Sequence, residues 1–385
     1  MKRKQVAIIV ETMNSYGQGI IRGIWRALQE HPTCVVLYEE RTLDTPPPTW
    51  LKNWKGDGII VRDRNGKSCR LALQTKAKVV DLSENRHPGI PTVLTDHAAC
   101  ARLAAEHLKS CGLQNFAFVG IKNRPFSDKR RDAFLQEVEH CHVFELKDNE
   151  RAISSWGTNH SAFLRWLKKL PQPVGMMGCY DLVGVRVLQS CNMAGIGVPD
   201  LVAVIGVNND ELQCSMTNPP MSSVIQNQER VGYEACHLLH RLMDGETIPE
   251  TPLIVPPLGV VARRSTDVLV IPDRLVVRAV NMIREYACDG LTIDHIARQL
   301  NISRRTLERR FFASLGKTPH EEIVNAQLQR ARELLMVTRL TLANVARQVG
   351  FSSVPHFTQL FANRFGVGPN EFRKNNQSIS PAFFH

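Results

Sequence analysis

IARQLNIS, residues 296–303, returns 49 residues later in the chain as VARQVGFS, residues 345–352. After one inserted residue the match continues at a spacing of 50, which aligns Gly316 with Gly366. An internal repeat of this kind indicates a duplicated structural unit. Each copy combines an apolar stripe of helical period with a turn residue and a possible helix cap, so each is predicted to fold as helix, turn, helix.

The turn and the second helix can be placed within each copy. Asn301 and Gly350 occupy the predicted turns, where a left-handed backbone costs least for Asn and Gly. Ser303 can cap the second helix of the first copy. In that helix Leu307 and Phe311 share the inward face, which leaves the charged residues on the outer face.

Charge supports a polyanion partner for this region. From residue 270 onward there are 16 Lys and Arg against 9 Asp and Glu, while the whole chain carries +11. The second helix of the first copy contains Arg304, Arg305, Arg309 and Arg310. Like charges one turn apart repel unless an anion lies between them. A helical bundle with a merely solvated surface is the alternative, and the duplicated unit favours DNA binding.

The pattern from Ser303 to Arg373 resembles the DNA-binding domain of the AraC family over about residues 274–375. The resemblance implies that double-stranded operator DNA is contacted by Arg304, Arg305, Glu308, Arg309, Val354, Pro355, Thr358 and Gln359. Gln359 stands where the family often has Arg, and Pro355 falls within the exposed face. We therefore expect the first helix to discriminate bases and the second mainly to orient the domain.

The first two-thirds of the chain have a different pattern. Between residues 6 and 260, short apolar runs such as 6–10, 174–177 and 202–207 alternate with helix-length segments. This alternation predicts parallel sheets covered by helices on both faces. Ligands of such sheets bind beyond the carboxyl ends of the strands.

One motif in this region suggests an enzyme. Gly17, Gly19 and Gly23 follow the first strand, which imitates a dinucleotide-binding fingerprint and leaves a nucleotide-cofactor (NAD-type) oxidoreductase fused to a helical domain as the alternative. Six residues separate the strand from the first Gly, and the last Gly comes one place too late. No H-E-x-x-H, G-x-S-x-G or P-loop pattern is present, so we expect no enzyme activity, cofactor or metal.

Cysteine usage and the N-terminus bear on location. The ten cysteines are scattered without a C-x-x-C pair, which is typical of a reducing compartment. The apolar run after MKRK stops at Glu11, too early for a secretory signal. No segment approaches the length of a membrane span, and we expect a cytoplasmic protein.

Residues 93–112, 196–209 and 218–224 resemble the sensor domains of the LacI/GalR type, which have a periplasmic-binding-protein-like fold. The resemblance spans about residues 5–262 and implies a two-lobed α/β domain that closes on a sugar. Its ligand positions correspond to Asn14, Tyr16, Asp63, Arg130, Trp156, Asp181 and Asn208. Asn208 stands where the family commonly has Asp, which changes the expected pattern of hydroxyl contacts.

Because the first strand is predicted at Val6, we expect no N-terminal DNA-binding headpiece of the LacI type, and we expect the C-terminal module to supply that function. This combination resembles the family of xylose operon regulators. It implies a pentose effector, most simply xylose, activation of sugar catabolic genes, a homodimer and contact with RNA polymerase. Closure on the sugar would re-aim the DNA-binding domains of the dimer onto tandem half-sites. We expect a sensor at 1–264, a linker at 265–273, the all-α DNA-binding domain at 274–375 and a loose tail at 376–385.

Overall fold

The structure is a computed structural model that describes residues 3–30, 34–84, 87–147, 160–249, 251–268, 273–338 and 340–377. It divides into two compact units, Met1–Val268 and Leu269–His385. Ser265 and Thr266, which belong to the predicted linker, are buried in the first unit, where Ser265 Oγ accepts a hydrogen bond from Ser222 N at 2.8 Å. The boundaries at 264 and 274 stay predictions. The predicted tail lies outside the described residues except for 376 and 377, which end the last helix.

The first unit is an α/β domain. In chain order its elements are β1 (Lys4–Ile9), α1 (Ser15–Glu30), β2 (Cys34–Tyr38), β3 (Gly58–Val61), α2 (Lys67–Ala72), β4 (Lys78–Asp81), β5 (Val93–Thr95), α3 (His97–Ser110), β6 (Asn115–Ile121), α4 (Pro125–Glu137), β7 (Cys141–Leu146), α5 (His160–Leu167), β8 (Val174–Gly178), α6 (Asp181–Met193), β9 (Val202–Val207), α7 (Glu211–Ser215), β10 (Ser222–Ile225), α8 (Gln228–Met243), β11 (Leu253–Val255) and β12 (Gly259–Val261). Short 3-10 turns lie at Thr49–Asn53 and Arg264–Thr266.

Two sheets define two lobes. The first lobe contains the parallel sheet β2-β1-β3-β4, and the second contains the sheet β12-β10-β9-β8-β6-β7. Every residue of β3, β8 and β9 is buried, because helices cover both faces of these strands. The predicted α/β fold class is confirmed. One feature was not predicted: β12 pairs with β10 in the antiparallel direction.

The glycines that imitate a cofactor fingerprint are packing residues. A Cβ on Gly23 would lie 1.9 Å from the carbonyl oxygen of Glu229, and one on Gly232 would lie 1.9 Å from that of Ile20. A Cβ on Gly17 would be equally close to a backbone oxygen of the loop before α1. Helices α1 and α8 therefore approach backbone to backbone, which only glycine allows. The pattern reflects helix contact and not a phosphate turn.

The close contact of α1 with α8 predicts that a larger residue at Gly23 destabilises the protein. Gly23→Ala is expected to lower the free energy of unfolding by about 2–4 kcal/mol, because the added methyl group must push the two helices apart. Gly197→Ala is the matched control, since the nearest atom to its Cβ would be 3.9 Å away. Chemical denaturation followed by circular dichroism measures both. A Gly23→Ala protein as stable as the Gly197→Ala protein would contradict the close approach.

The second unit is helical in its described part. Its elements are α9 (Arg274–Tyr286), α10 (Ile293–Gln299), α11 (Arg304–Leu315), α12 (Pro319–Val337), α13 (Leu342–Gln348), α14 (Val354–Phe365) and α15 (Pro369–Gln377), with a 3-10 turn at Ala287–Asp289. Phe311 belongs to one hydrophobic core and Phe361 to another. The long helix α12 contributes Ile323 to the first core and Leu328 to the second, so it joins the two halves.

Both predicted helix-turn-helix units are present. Asn301 has φ 53° between α10 and α11, and Gly350 has φ 91° between α13 and α14. Ser303 Oγ accepts a hydrogen bond from Thr306 N at 3.1 Å, which caps α11. Ser353 caps α14 in the same way. The repeat in sequence is therefore a repeat in structure, down to its turns and caps.

Candidate functional site

A cavity of about 190 Å³ lies between the two lobes of the first unit, beyond the carboxyl ends of the strands. The lining residues come from both lobes and are mostly polar. They are Glu11, Asn14, Ser15, Tyr16, Leu43, Arg62, His97, Ile121, Arg124, Phe126, Arg130, Tyr180, Asp181, Asn208, Asp210, Gln213 and Gln226. The volume is below the ~300–1,000 Å³ of pockets for drug-sized ligands, so the cavity suits a small polar molecule.

Five of the seven predicted ligand residues line this cavity: Asn14, Tyr16, Arg130, Asp181 and Asn208. Asp63 does not line it. Its Oδ2 accepts a hydrogen bond from Ser68 N at 2.6 Å in the first turn of α2, and its N donates to Ser83 Oγ at 3.1 Å. Asp63 therefore holds the start of α2 through Oδ2, while its Oδ1 has no hydrogen-bond partner among the described residues, and its role as a ligand residue stays a prediction. Trp156 lies outside the described residues.

Arg130 is the most deeply held cation of the cavity, with 2 % of its surface exposed. Its Nε donates to His97 Nδ1 at 3.2 Å, and its Nη1 donates to the carbonyl oxygen of Cys179. The guanidinium carbon lies 5.3 Å from the centre of the Phe126 ring. These contacts fix the orientation of Arg130 before any ligand arrives.

A second cation faces the cavity from the first lobe. Arg62 pairs with Glu11 and lies 4.7 Å from the centre of the Tyr16 ring. Burial alone would lower the pKa of Arg62, but the Glu11 carboxylate raises it above its usual value. The Tyr16 hydroxyl shares a 2.8 Å hydrogen bond with Thr95 Oγ1, and burial raises the pKa of Tyr16. Arg62 therefore stays charged and Tyr16 stays neutral at physiological pH.

Asp181 begins α6 and is 1 % exposed. Its Oδ1 accepts from Ser223 Oγ at 2.6 Å and its Oδ2 from Asp210 N at 2.7 Å. Burial raises the pKa of Asp181 to about 6, although both hydrogen bonds act in the opposite direction. Asp181 thus ties α6 to β10 and to the start of α7, and it holds the wall of the second lobe together.

Several acceptor oxygens of the cavity are unpartnered. Glu11 Oε2, Gln213 Oε1 and Gln226 Oε1 are buried and form no hydrogen bond within the part of the chain that the structure describes. A buried acceptor without a partner costs free energy, so it is expected to meet a donor when a ligand binds. Gln226 Nε2 donates to Asn208 Oδ1, which orients both amides. Gln226 and Gln213 were not among the predicted ligand residues, although they follow strands β10 and β9, at the strand ends where ligands were expected to bind.

A second polar cluster lies in the first lobe. Cys69, Asp81 and His87 each place one possible metal-ligand atom within 4.8 Å of the others. Asp81 Oδ2 and His87 Nδ1 are 3.0 Å apart, and Asp81 Oδ1 accepts from Ser83 N at 2.8 Å. Both oxygens of the Asp81 carboxylate therefore already have partners within the protein. Sequence reasoning did not find it, because the three residues lie on separate elements.

The candidate DNA surface of the first helix-turn-helix unit is the exposed face of α11. Arg304 is committed within the domain, since its Nε donates to Glu308 Oε1 at 2.9 Å and its Nη1 to Asp294 Oδ2 at 3.4 Å. Arg305 and Arg309 are exposed and have no ion-pair partner among the described residues. These two guanidinium groups are therefore available to phosphates or to guanine edges.

The structure corrects the interpretation of Arg310. The sequence analysis explained the four arginines of α11 by a bound anion, but Arg310 Nη2 donates to Asp273 Oδ1 at 2.8 Å and its Nε donates to Oδ2. Asp273 also caps α9. Arg310 therefore fastens α11 to the start of α9, and an internal carboxylate relieves its charge.

The second helix-turn-helix unit presents its predicted DNA contacts on α14, namely Val354, Pro355, Thr358 and Gln359. Pro355 falls in the first turn of the helix, where its missing N–H group is not needed. It therefore does not interrupt α14. Pro355 and Gln359 are exposed, whereas Val354 and Thr358 are half-buried. With no cation among these four residues, their contacts to DNA would be by hydrogen bond and shape.

Within the described residues, no helix combines the length and the apolar character that crossing a membrane requires.

The chain matches two known families. Residues 105–266 match the family described as a periplasmic binding protein-like domain, and residues 296–375 match a helix-turn-helix domain. The first match covers the whole sheet of the second lobe, and the second match covers both turns of the repeat.

Full-length relatives have the same organisation. The chain is 30 % identical to the xylose operon regulatory protein of Escherichia coli (strain K12) over 98 % of its own length and 99 % of that protein. It is 29 % identical to the xylose operon regulatory protein of Haemophilus influenzae, over 96 % of this chain and 98 % of the relative. A solved structure of a xylose-binding transcription activator matches with a TM-score of 0.84 at 29 % identity, covering 98 % of this chain and 99 % of that one.

Proposed function

Because the chain belongs to the family of xylose operon regulatory proteins, we propose that its effector is xylose or a closely related pentose and that it activates sugar catabolic genes. The chain is a sugar-responsive, DNA-binding transcription regulator and not an enzyme. Its glycine pattern, which suggested an oxidoreductase, is accounted for by the contact of α1 with α8.

The observation that carries the pentose proposal is the set of unpartnered acceptors, Glu11 Oε2, Gln213 Oε1 and Gln226 Oε1, in a cavity of about 190 Å³. A sugar hydroxyl donates one hydrogen bond and accepts others, so it matches a cavity that is lined both by unpartnered acceptors and by a fixed cationic donor such as Arg130. A pentose brings several hydroxyls in a compact ring. The aromatic Phe126 supplies an apolar surface for the C–H face of such a ring.

The DNA contacts are proposed to be made by α11 and α14. Arg305 and Arg309 read bases, with Arg304 and Glu308 paired to each other beside them, and α14 orients the domain through Val354, Pro355, Thr358 and Gln359. A homodimer brings four such helices to tandem half-sites, and an activator placed there contacts RNA polymerase. The proposed place of action is the cytoplasm, because the target is DNA.

Calorimetric titration of the purified full chain with D-xylose, D-ribose, L-arabinose, D-glucose and NAD⁺ tests the effector. We expect saturable binding of a pentose, strongest for D-xylose, and none of NAD⁺. An operator can be selected from a random duplex library with the same protein, and its affinity is expected to rise about tenfold when the pentose is added. NAD⁺ binding without any sugar binding, or an operator affinity that no sugar changes, would overturn the proposal.

A further inference from the structure

One carboxylate joins the two lobes outside the cavity. Glu84 belongs to the first lobe and follows β4, and both of its partners belong to the second lobe. Its Oε1 lies 2.7 Å from His97 Nε2 at the start of α3, and its Oε2 accepts from Lys129 Nζ on α4. The Glu84 side chain is 15 % exposed, so solvent screens these charges only weakly.

The contact continues into the cavity. His97 Nδ1 accepts from Arg130 Nε at 3.2 Å, so the ring proton is on Nε2, from which it is donated to Glu84. Burial and the Arg130 charge lower the pKa of His97, which keeps the ring neutral, and His97 and Lys129 lower the pKa of Glu84 to about 2. A continuous chain of hydrogen bonds therefore runs from Arg130 through His97 to Glu84.

A second bridge between the lobes is weaker. Asp44 of the first lobe lies 3.9 Å from Arg124 Nη2 of the second, and it is also paired with Arg64 of its own lobe. Since the Asp44 carboxylate is shared in this way, less of its charge is available across the cleft. Both partners of Glu84 lie on the opposite lobe, so Glu84 forms the stronger bridge between the lobes.

We propose that Glu84 is an inter-lobe latch, which holds the lobes closed over the cavity and orients Arg130 through His97, and thereby sets the effector concentration at which the protein responds. This inference rests on the proposed sugar-sensing function. A protein whose binding-competent form is only partly populated binds its ligand more weakly in proportion to that fraction. Breaking the latch lowers the closed fraction, so it weakens binding without removing any group that lines the cavity.

Lys129→Gln is the sharpest variant, because Lys129 is half-exposed and does not line the cavity. The apparent dissociation constant for D-xylose is expected to rise about threefold to tenfold in the full-length protein. Glu84→Gln is expected to raise it further, since the amide also weakens the bond to His97. Lys109→Gln is the matched control, because Lys109 is an exposed lysine of the same lobe for which no ion pair is found among the described residues; its dissociation constant is expected to stay within about twofold of wild type.

A readout without ligand separates the latch from the effector proposal. The segment 208–215 belongs to the wall that the second lobe contributes to the cavity. With no sugar present, its hydrogen–deuterium exchange is expected to be faster in Lys129→Gln and Glu84→Gln than in wild type. If wild type binds no pentose, the proposed function fails while exchange still tests the latch. The latch is overturned if both variants exchange as slowly as wild type. It is also overturned if Lys109→Gln changes the exchange rate and the dissociation constant as much as Lys129→Gln does. Should Glu84→Gln fail to fold, Lys129→Gln decides.

Discussion

The double variant Arg305→Ala/Arg309→Ala is expected to bind its selected operator about 100-fold more weakly than wild type, with sugar affinity unchanged. Both guanidinium groups are exposed on α11 and unpaired within the described residues, so they are the groups that we expect to contact DNA. One good bidentate contact to a base discriminates by about 1–3 kcal/mol, and two lost contacts multiply their effects. Fluorescence anisotropy with the operator and with a scrambled duplex, over a range of salt concentrations, measures this.

The salt dependence tells base contacts from phosphate contacts. If the two arginines read bases, the loss falls on the operator and the salt slope changes little; if they bind phosphates, the slope decreases by about one for each. Arg278→Ala/Arg330→Ala removes the same charge from α9 and α12, and it should leave the preference for the operator intact. Operator affinity equal to wild type in the α11 variant would rule out this face as the DNA surface.

Arg130→Ala is expected to weaken sugar binding about 100-fold and to abolish the sugar response of operator binding. Arg130 has two of its N–H groups committed to His97 and to the Cys179 carbonyl, which leaves the rest of a rigid donor fork facing the cavity. Hydrogen bonds to a charged donor contribute about 1.5–3 kcal/mol each, so losing two of them at the lower end of this range, about 3 kcal/mol, corresponds to this factor. Calorimetric titration with D-xylose measures the change.

The neighbouring residue is the control for Arg130. Arg131 is also an arginine of α4, but it pairs with Asp128, Asp132 and Glu145 and does not line the cavity. Arg131→Ala should change sugar affinity by less than about twofold. Thermal unfolding without sugar shows whether each variant is folded. A folded Arg130→Ala protein with wild-type sugar affinity would place the effector site elsewhere.

The repeat could be predicted because its signals are local. Asn301 and Gly350 at the turns and Ser303 at the cap act on backbone groups within a few residues, so their pattern identifies the helix-turn-helix units without tertiary information. The parallel sheets were equally predictable, since strands buried on both faces must be continuously apolar, as in β9. The ligand residues Arg130 and Asp181 came from family resemblance, and the structure places both at the cavity.

Long-range pairing decided the rest. Asp273, 37 residues away, neutralises the charge of Arg310, and Ser68 N donates to one oxygen of Asp63; neither pairing could be deduced from the sequence. The glycines of α1 resemble a phosphate turn until α8, about 200 residues later, packs on them.

The sequence by itself therefore determined the fold class, the duplicated helix-turn-helix unit and the basic character of the C-terminal region, because these follow from periodicity, caps and charge along the chain. Only the tertiary structure decided which polar groups already have partners: Arg305 and Arg309 have no ion-pair partner and Gln226 Oε1 has no hydrogen bond among the described residues, whereas Glu84 is bonded to the opposite lobe. The physical reason is that a hydrogen bond or ion pair depends on atoms within about 3–4 Å in space, and distance along the chain does not specify them.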